Sequence, residues 1–186
     1  MAEFFDAIDE KHAAFIARQP VFFVATAAPD ARINLSPKGY DVLRVLGPNR
    51  VAYLDLGGSG NETQAHLAAD GRITLMFCAF DNPAMILRLY GRGRFVIAGE
   101  PDYETLAGNF PRLPGARQIF DIAIDSVQTS CGYGVPHMAL ERERGTLVDY
   151  HRQFAPAERL ARIAARTRSI DGLPVRVQTV MPTVDA

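Results

Sequence analysis

The sequence predicts a mainly β fold of the α+β class, in which about six antiparallel strands form a closed or partly closed barrel. Three observations predict it. Four strand-like segments lie between residues 21 and 55, and the turns that join them are too short for parallel crossovers. Further strand patterns follow in the middle of the chain, with small helical segments between them. From about residue 145 the pattern becomes helical, which predicts a C-terminal helical extension.

The first elements are a helix at residues 8–18 and strands at 21–26, 32–36, 42–46 and 51–55. Apolar residues recur at helical spacing in the helix, and Pro20 ends it. The first strand is apolar throughout, whereas the second alternates polar and apolar side chains. A Gly47-Pro48-Asn49 turn separates the last two strands.

The later elements are a short helix opened by a capping box at residues 59–62, strands at 73–80, 86–96 and 120–125, and helices at 147–154 and 156–166. We therefore expect two units. Residues 1–140 form the barrel, and residues 141–186 form the helical extension, which packs on the barrel through apolar side chains at near-helical spacing.

Composition excludes several classes of function. The chain has 186 residues and a net charge of −1, so it is not built to coat nucleic acid or an anionic membrane. Its two cysteines form no disulfide framework and no zinc-spaced cluster, and we expect no metal site. The N-terminus lacks a basic stretch followed by an apolar run, so we expect no signal peptide and a cytoplasmic protein.

The segment GGSGNET at residues 57–63 is a glycine-rich loop that leads into a helix. Bare backbone amides at a helix start suit an anion. The segment is neither a Walker motif nor a dinucleotide fingerprint, and a loop of this kind is often only a helix start. Glu62 opposes an anion unless its carboxylate turns back into the capping box.

Three arginines, Arg88, Arg92 and Arg94, alternate along the strand predicted at residues 86–96 and therefore share one face. Arginines usually face water, and we expect this for Arg94. For Arg88 a binding role and simple exposure are equally compatible with the pattern. Gly91 and Gly93 interrupt the opposite face, which is typical of a bulge or of close approach by another backbone or a ligand.

The strand at residues 32–36 places Arg32, Asn34 and Ser36 on one face and leads into Lys38. This polar row would line a cleft, although a sheet edge facing water would look the same. Elsewhere, Cys131 has no base that the sequence pairs with it, and we expect a buried structural cysteine. His66 lies on the predicted short helix, and we expect it to bind local polar groups rather than a ligand.

In order and spacing, the segments at 21–26, 32–39, 53–55, 58–63, 72–77 and 88–91 resemble the pyridoxamine 5'-phosphate oxidase-like family of FMN-binding split barrels. The resemblance covers about residues 10–136. The segments SCGYGVP at 130–136 and SIDGLP at 169–174 resemble a subgroup of that family. The resemblance to the family implies a six-stranded antiparallel split β-barrel and a homodimer whose two FMN molecules lie in clefts between the subunits.

The resemblance also implies which residues bind the cofactor. Arg32, Asn34, Ser36 and Lys38 would line the flavin cleft. Ser59, Asn61 and Thr63 would lie where the helix begins, near the phosphate. Arg88 would approach a flavin bound mainly to the partner subunit.

Two departures separate this chain from true pyridoxamine-phosphate oxidases. Those enzymes carry an Arg-Lys pair where this chain has Glu62 and Thr63, and a C-terminal pattern with tryptophan, which this chain lacks entirely. We therefore expect a flavin-dependent oxidoreductase acting on another small molecule. The alternatives are a non-catalytic carrier or sensor of FMN, haem or a deazaflavin on the same fold, and an empty barrel that serves as an interaction scaffold.

Overall fold

The computed structural model describes residues 2–185. Its strands are β1 (Glu3–Phe5), β2 (Phe22–Thr26), β3 (Asn34–Lys38), β4 (Leu43–Gly47), β5 (Arg50–Leu56), β6 (Arg72–Cys78), β7 (Ile86–Ile97) and β8 (Ala116–Ser130). Its helices are α1 (Glu10–Arg18), α2 (Glu62–Ala69), α3 (Tyr103–Ala107), α4 (Thr146–Arg152) and α5 (Pro156–Ala164).

All eight of these strands belong to one antiparallel sheet, in the order β3-β2-β6-β7-β8-β5-β4, with β1 paired to β8. The sequential strands β3 and β4 therefore lie at opposite ends of the sheet. The sheet curls so that its two sides come close together, as the contact between Lys38 of β3 and Asp55 of β5 shows. The predicted fold class, a partly closed antiparallel barrel with small helices, is confirmed.

Within residues 2–185 there are eight strands, whereas the sequence predicts seven segments and the resemblance implies six; the strand that is not predicted is β1. Strand β8 runs five residues beyond the predicted end at 125, and its extra length pairs with β1. The alternating pattern breaks at Asp125 because the strand bulges there: Tyr90 pairs with Ser126, whereas Gly91 pairs with Ile124.

The inner face of the curled sheet holds the core, with Val24, Tyr53, Leu75 and Phe120 almost fully buried. Gly91 also lies on this face. A Cβ atom there would lie 2.1 Å from the carbonyl oxygen of Ala123, so the close approach of β7 and β8 requires glycine, in line with the sequence prediction.

The C-terminal helices contact the barrel through His151 of α4. Its Nε2 atom lies 2.6 Å from the carbonyl oxygen of Gly57, and its ring fills the space beside Gly115. A Cβ atom at Gly115, where φ is +90°, would lie 2.1 Å from Cδ2 of this ring. Val148 and Ile163 are buried at the same contact.

The prediction that Cys131 is buried is wrong. Cys131 is exposed, whereas Cys78 is buried. The neighbouring Gly132, with φ of +66°, packs against the backbone of Met85 and takes the interior position. No helix within residues 2–185 has both the length and the apolar character that a membrane span requires.

Candidate functional site

A polar pocket of about 220 Å³ lies where β3, β5 and β8 meet the start of α2, and we call it the α2 pocket. Its lining residues are Asn34, Ser36, Lys38, Asp55, Leu56, Gly58, Ser59, Gly60, Asn61, Glu62, Thr63 and Arg117. Residues of β3 and of the α2 start, which the resemblance assigned to one cofactor, therefore face one cavity. Arg32 and Arg88 do not line it.

Strand β3 supplies one wall, because its even-numbered side chains point toward α2. The amide nitrogen of Asn34 donates to Thr26 Oγ1 at 3.1 Å and to Thr63 Oγ1 at 3.2 Å. On its other side, the Thr26 hydroxyl lies 3.0 Å from Nδ1 of His66, which binds local polar groups as expected. These bonds fix the upper part of the wall to the first turn of α2.

Asp55 lies at the centre of the pocket floor and is 1% exposed. One carboxylate oxygen accepts from Lys38 Nζ at 2.9 Å, and the other accepts from Arg117 Nη2 at 2.6 Å and from Gln118 Nε2 at 2.9 Å. Burial alone would raise the pKa of Asp55, but the charges of Arg117 and Lys38 and their hydrogen bonds hold it well below the ordinary value. Asp55 therefore stays ionised and fixes both cations.

The start of α2 differs from the predicted capping box. The helix begins at Glu62, and neither Ser59 nor Asn61 caps it with a side-chain hydrogen bond. The Asn61 side chain instead accepts from Gln118 Nε2 at 2.7 Å. The Glu62 carboxylate accepts from the backbone N–H of Ile170 at 3.1 Å, so it turns toward the C-terminal segment.

The segment at residues 168–176, which we call the strap, lies along α2. Besides the bond from Ile170 to Glu62, the amide group of Gln64 exchanges two hydrogen bonds with the backbone of Arg176. Asp171 accepts from the backbone N–H of Arg32 at 2.8 Å and forms an ion pair with its guanidinium. Arg32, which the resemblance placed in the flavin cleft, thus binds the strap and lies outside the α2 pocket.

The pocket fits a phosphate group on one observation, the free amides at the helix start. The first-turn N–H groups of α2 have no side-chain acceptor among residues 2–185, and such amides point out of the helix end. The hydroxyl of Tyr53, a fully buried residue whose ring lies 5.9 Å from Lys38 Nζ, lacks a partner within that range, but Tyr53 does not line the pocket. Burial, with a smaller effect from Asp55, raises the pKa of Tyr53 well above its usual value, so the hydroxyl remains a donor.

The arginine stripe lies on the opposite, outer face of the sheet. Arg88 lies 3.3 Å from the Ser130 hydroxyl through Nη1. Arg94 is 2.8 Å from Asp102 and 2.9 Å from Asp121, consistent with the solvent-facing role predicted for it. The same face carries a groove of about 390 Å³ that includes Ile33 and Tyr90. Within one chain, therefore, Arg88 and the α2 pocket are separate.

Sequence reasoning missed Arg117 and Gln118. Both lie in β8 next to the long apolar run that packs the core, and both are buried. The one signal in the sequence is that a polar pair, Arg117-Gln118, directly precedes a strand pattern. A buried arginine requires a carboxylate partner, and only the fold shows that this partner is Asp55.

Comparisons with known proteins agree with this geometry. A family model for pyridoxamine 5'-phosphate oxidase matches residues 8–131. The chain is 37% identical over 197 residues to the Aspergillus flavus pyridoxamine 5'-phosphate oxidase family protein ustO, covering 94% of this chain and 78% of that protein.

Two crystal structures share the fold. A candidate pyridoxamine 5'-phosphate oxidase from Lactobacillus delbrueckii has a TM-score of 0.54 at 15% identity, covering 66% of this chain and 94% of that chain. A HupZ variant from Group A Streptococcus has a TM-score of 0.53 at 19% identity, covering 66% of this chain and 99% of that chain.

Proposed function

Because this chain belongs to the pyridoxamine 5'-phosphate oxidase family, we propose that it binds a flavin through the flavin phosphate and acts as a flavin-dependent oxidoreductase on a small molecule. FMN is the simplest flavin with such a phosphate. The observation that carries the proposal is the uncapped start of α2, which lies in the same pocket as Lys38 and the Ser59 and Thr63 hydroxyls.

The charges of the pocket favour a modest rather than a strong phosphate site. Lys38 and Arg117 bring two positive charges, but Asp55 already binds both. The Glu62 carboxylate faces the strap, which lowers its repulsion of a bound anion. The first-turn amides and hydroxyls therefore supply most of the free donors, with Lys38 adding a charge-assisted bond.

A bound flavin supplies electron and hydride transfer, and the chain supplies its position and its electrostatic surroundings. Lys38 places positive charge at the pocket, which favours a reduced, negatively charged cofactor nearby. Asp55 stays ionised and Tyr53 stays protonated near neutral pH. Neither group therefore carries protons near neutral pH, and Asp55 serves as a fixed charge.

We further propose that the working form is a homodimer joined through the outer face of the sheet. Leu35 on edge strand β3 is 65% exposed and Ile33, just before the strand, is 79% exposed; large exposed apolar residues at a sheet edge often mark an interface. Leu35 pairs with Ala25 on the neighbouring strand. Two residues before Ala25, Phe23 begins a row of paired residues that runs across the sheet through Met76 to Arg88. A partner seated there would bring its own cofactor close to Arg88.

One observation favours the second candidate, a non-catalytic cofactor carrier. The lining of the α2 pocket includes no histidine and no cysteine among the described residues, so it offers no side chain of the types that most often transfer protons near neutral pH. A carrier of FMN, haem or a deazaflavin needs none.

Absorption spectroscopy of the freshly purified protein, followed by assay with NAD(P)H, tests both candidates. Flavin bands support the flavin proposal, and a Soret band would replace the flavin with haem. Oxidation of NAD(P)H by the flavin-loaded protein, well above the rate of free flavin, supports an oxidoreductase. A flavin-loaded protein that no nicotinamide donor reduces would favour the carrier.

A further inference from the structure

A second pocket, of about 270 Å³, lies between the loop at residues 57–59 and helices α4 and α5, and we call it the C-terminal pocket. It shares Gly58, Ser59 and Arg117 with the α2 pocket. A Cβ atom at Gly58 would meet no other atom within 4 Å, so the space beside this shared loop is open. A ligand held at the start of α2 thus has room to continue past Ser59.

The C-terminal pocket is basic and has an aromatic wall. Arg166 is exposed and forms no ion pair with any residue in the 2–185 range. Arg162 pairs with Glu158, and its guanidinium lies 3.9 Å above the Phe154 ring. Tyr150, which is 45% exposed, lines the same pocket. An anionic group carrying an aromatic ring matches this combination.

His151 forms the side of the C-terminal pocket that faces the barrel. It is 3% exposed and lines the C-terminal pocket. Because the Gly57 carbonyl can only accept, Nε2 of His151 donates to it, which leaves Nδ1 as an acceptor in the neutral ring. Nδ1 is buried without a donor within the described residues. Because Nδ1 has almost no accessible surface, a ligand in the pocket does not reach it, and His151 contributes only to the wall of the pocket.

We propose that the C-terminal pocket binds the part of a flavin dinucleotide that lies beyond its first phosphate, namely a second phosphate and an adenine ring. This inference rests on the proposed flavin site in the α2 pocket. The second phosphate passes Ser59 and approaches Arg166, and the adenine ring stacks on Tyr150. The chain accordingly binds FAD more tightly than FMN.

Titration of the cofactor-free full-length protein with riboflavin, FMN and FAD, followed by flavin fluorescence, tests this assignment. We expect FAD to bind at least tenfold more tightly than FMN, and ADP alone to compete with FAD. Arg166→Ala should remove most of the advantage of FAD while leaving FMN affinity within about twofold, because a charge-assisted phosphate contact is lost. Arg142→Ala, which changes an exposed arginine in the loop before α4, is the matched control and should change neither affinity.

The outcomes separate this inference from the proposed function. FMN binding as tightly as FAD, or more tightly, overturns the inference and leaves the flavin site standing. An advantage of FAD that survives Arg166→Ala and Tyr150→Ala overturns the assignment to the C-terminal pocket. A protein that binds none of the three flavins overturns the flavin site itself, and the inference with it.

Discussion

The Nζ atom of Lys38 lies 2.9 Å from Oδ1 of Asp55, so the lysine at the candidate phosphate site is held by a buried carboxylate before any ligand arrives. This pair links the two sides of the curled sheet, since Lys38 belongs to edge strand β3 and Asp55 to β5, the neighbour of the other edge strand, β4. It therefore links closure of the barrel to the charge of the site.

Replacing this carboxylate should destabilise the fold. We expect Asp55→Asn to lower the free energy of unfolding by about 3–5 kcal/mol, because it leaves two largely buried cations without a counter-charge. Urea denaturation followed by circular dichroism measures the change. Asp41→Asn, which breaks the exposed ion pair with Arg44, is the control and should lower the free energy of unfolding by about 1 kcal/mol or less. Equal losses in the two variants would contradict the central role of Asp55.

The same carboxylate predicts an acid dependence of stability. The folded-state pKa of Asp55 lies below its unfolded value of about 3.9, so its contribution is fully present above that value and is lost as the pH falls toward the folded pKa. We expect wild-type stability to fall steeply below about pH 4. Urea midpoints from pH 7 to pH 2 measure this, and the acid slope should be smaller in Asp55→Asn. Identical slopes would mean that other carboxylates dominate.

Flavin affinity should depend on charges from both faces of the sheet. We expect Lys38→Ala and Arg88→Ala each to weaken FMN binding at least tenfold, since a hydrogen bond to a charged group contributes roughly 1.5–3 kcal/mol. Thr63→Ala should cost less, because a neutral hydroxyl bond contributes about 1 kcal/mol. Arg94→Ala is the control and should change little, since Arg94 binds Asp102 and Asp121. Fluorescence quenching of FMN measures all four.

The Arg88 variant carries additional information. Arg88 lies outside the α2 pocket of its own chain, so an effect of Arg88→Ala requires a cofactor that contacts a second subunit. An effect of Lys38→Ala alone would place the cofactor within one chain.

Exposed apolar residues of β3 should control assembly. We expect Leu35→Asp to convert a dimer of about 40 kDa into a monomer of the chain mass of 20.4 kDa, because a buried, unpaired carboxylate disfavours the interface. Light scattering across a dilution series measures the mass. Val180→Asp, at a half-exposed apolar position near the C-terminus, is the control. A wild-type monomer at every concentration would exclude the between-subunit site.

The C-terminal helices should loosen when the His151 ring is displaced. Gly115→Ala places a Cβ atom 2.1 Å from that ring at a position with a positive φ. We expect the free energy of unfolding to fall by about 2 kcal/mol, and trypsin to cleave faster at the arginines of the C-terminal helices. Gly134→Ala is the matched control, since a Cβ there meets nothing within 4 Å. Unchanged cleavage in Gly115→Ala would show that other contacts hold α4.

Local sequence patterns predicted most helices and strands. The features that they did not predict depend on contacts between residues far apart in the chain. The alternation in β3 and the glycine turn before β5 have local causes, and both strands formed close to the predicted positions. The predicted capping box does not form, because the Glu62 carboxylate accepts from the backbone N–H of Ile170, 108 positions away. The role of Arg117 was not predicted for the same reason, since its partner Asp55 lies 62 positions away.

Cys131 shows the same limit on a shorter scale. Its exposure depends on Gly132 packing against Met85, which lies 47 positions earlier, just before β7. The exposed Ile33 and Leu35 follow a pattern that predicts a buried face, and within one chain β3 lies at the edge of the sheet with that face open.

The strap also has a consequence for how the molecule is made. Glu62 and Arg32 bind residues that are translated 108 and 139 positions later, so the contacts around α2 are complete only after the strap has left the ribosome. Closing loops of this length costs conformational entropy before any contact compensates for it, and non-local contacts slow folding. During synthesis the barrel strands thus have a period in which Arg32, Glu62 and Gln64 face water without their final partners. If the proposed flavin binds the nascent chain, its binding and the closure of the strap would compete in time at the same helix end.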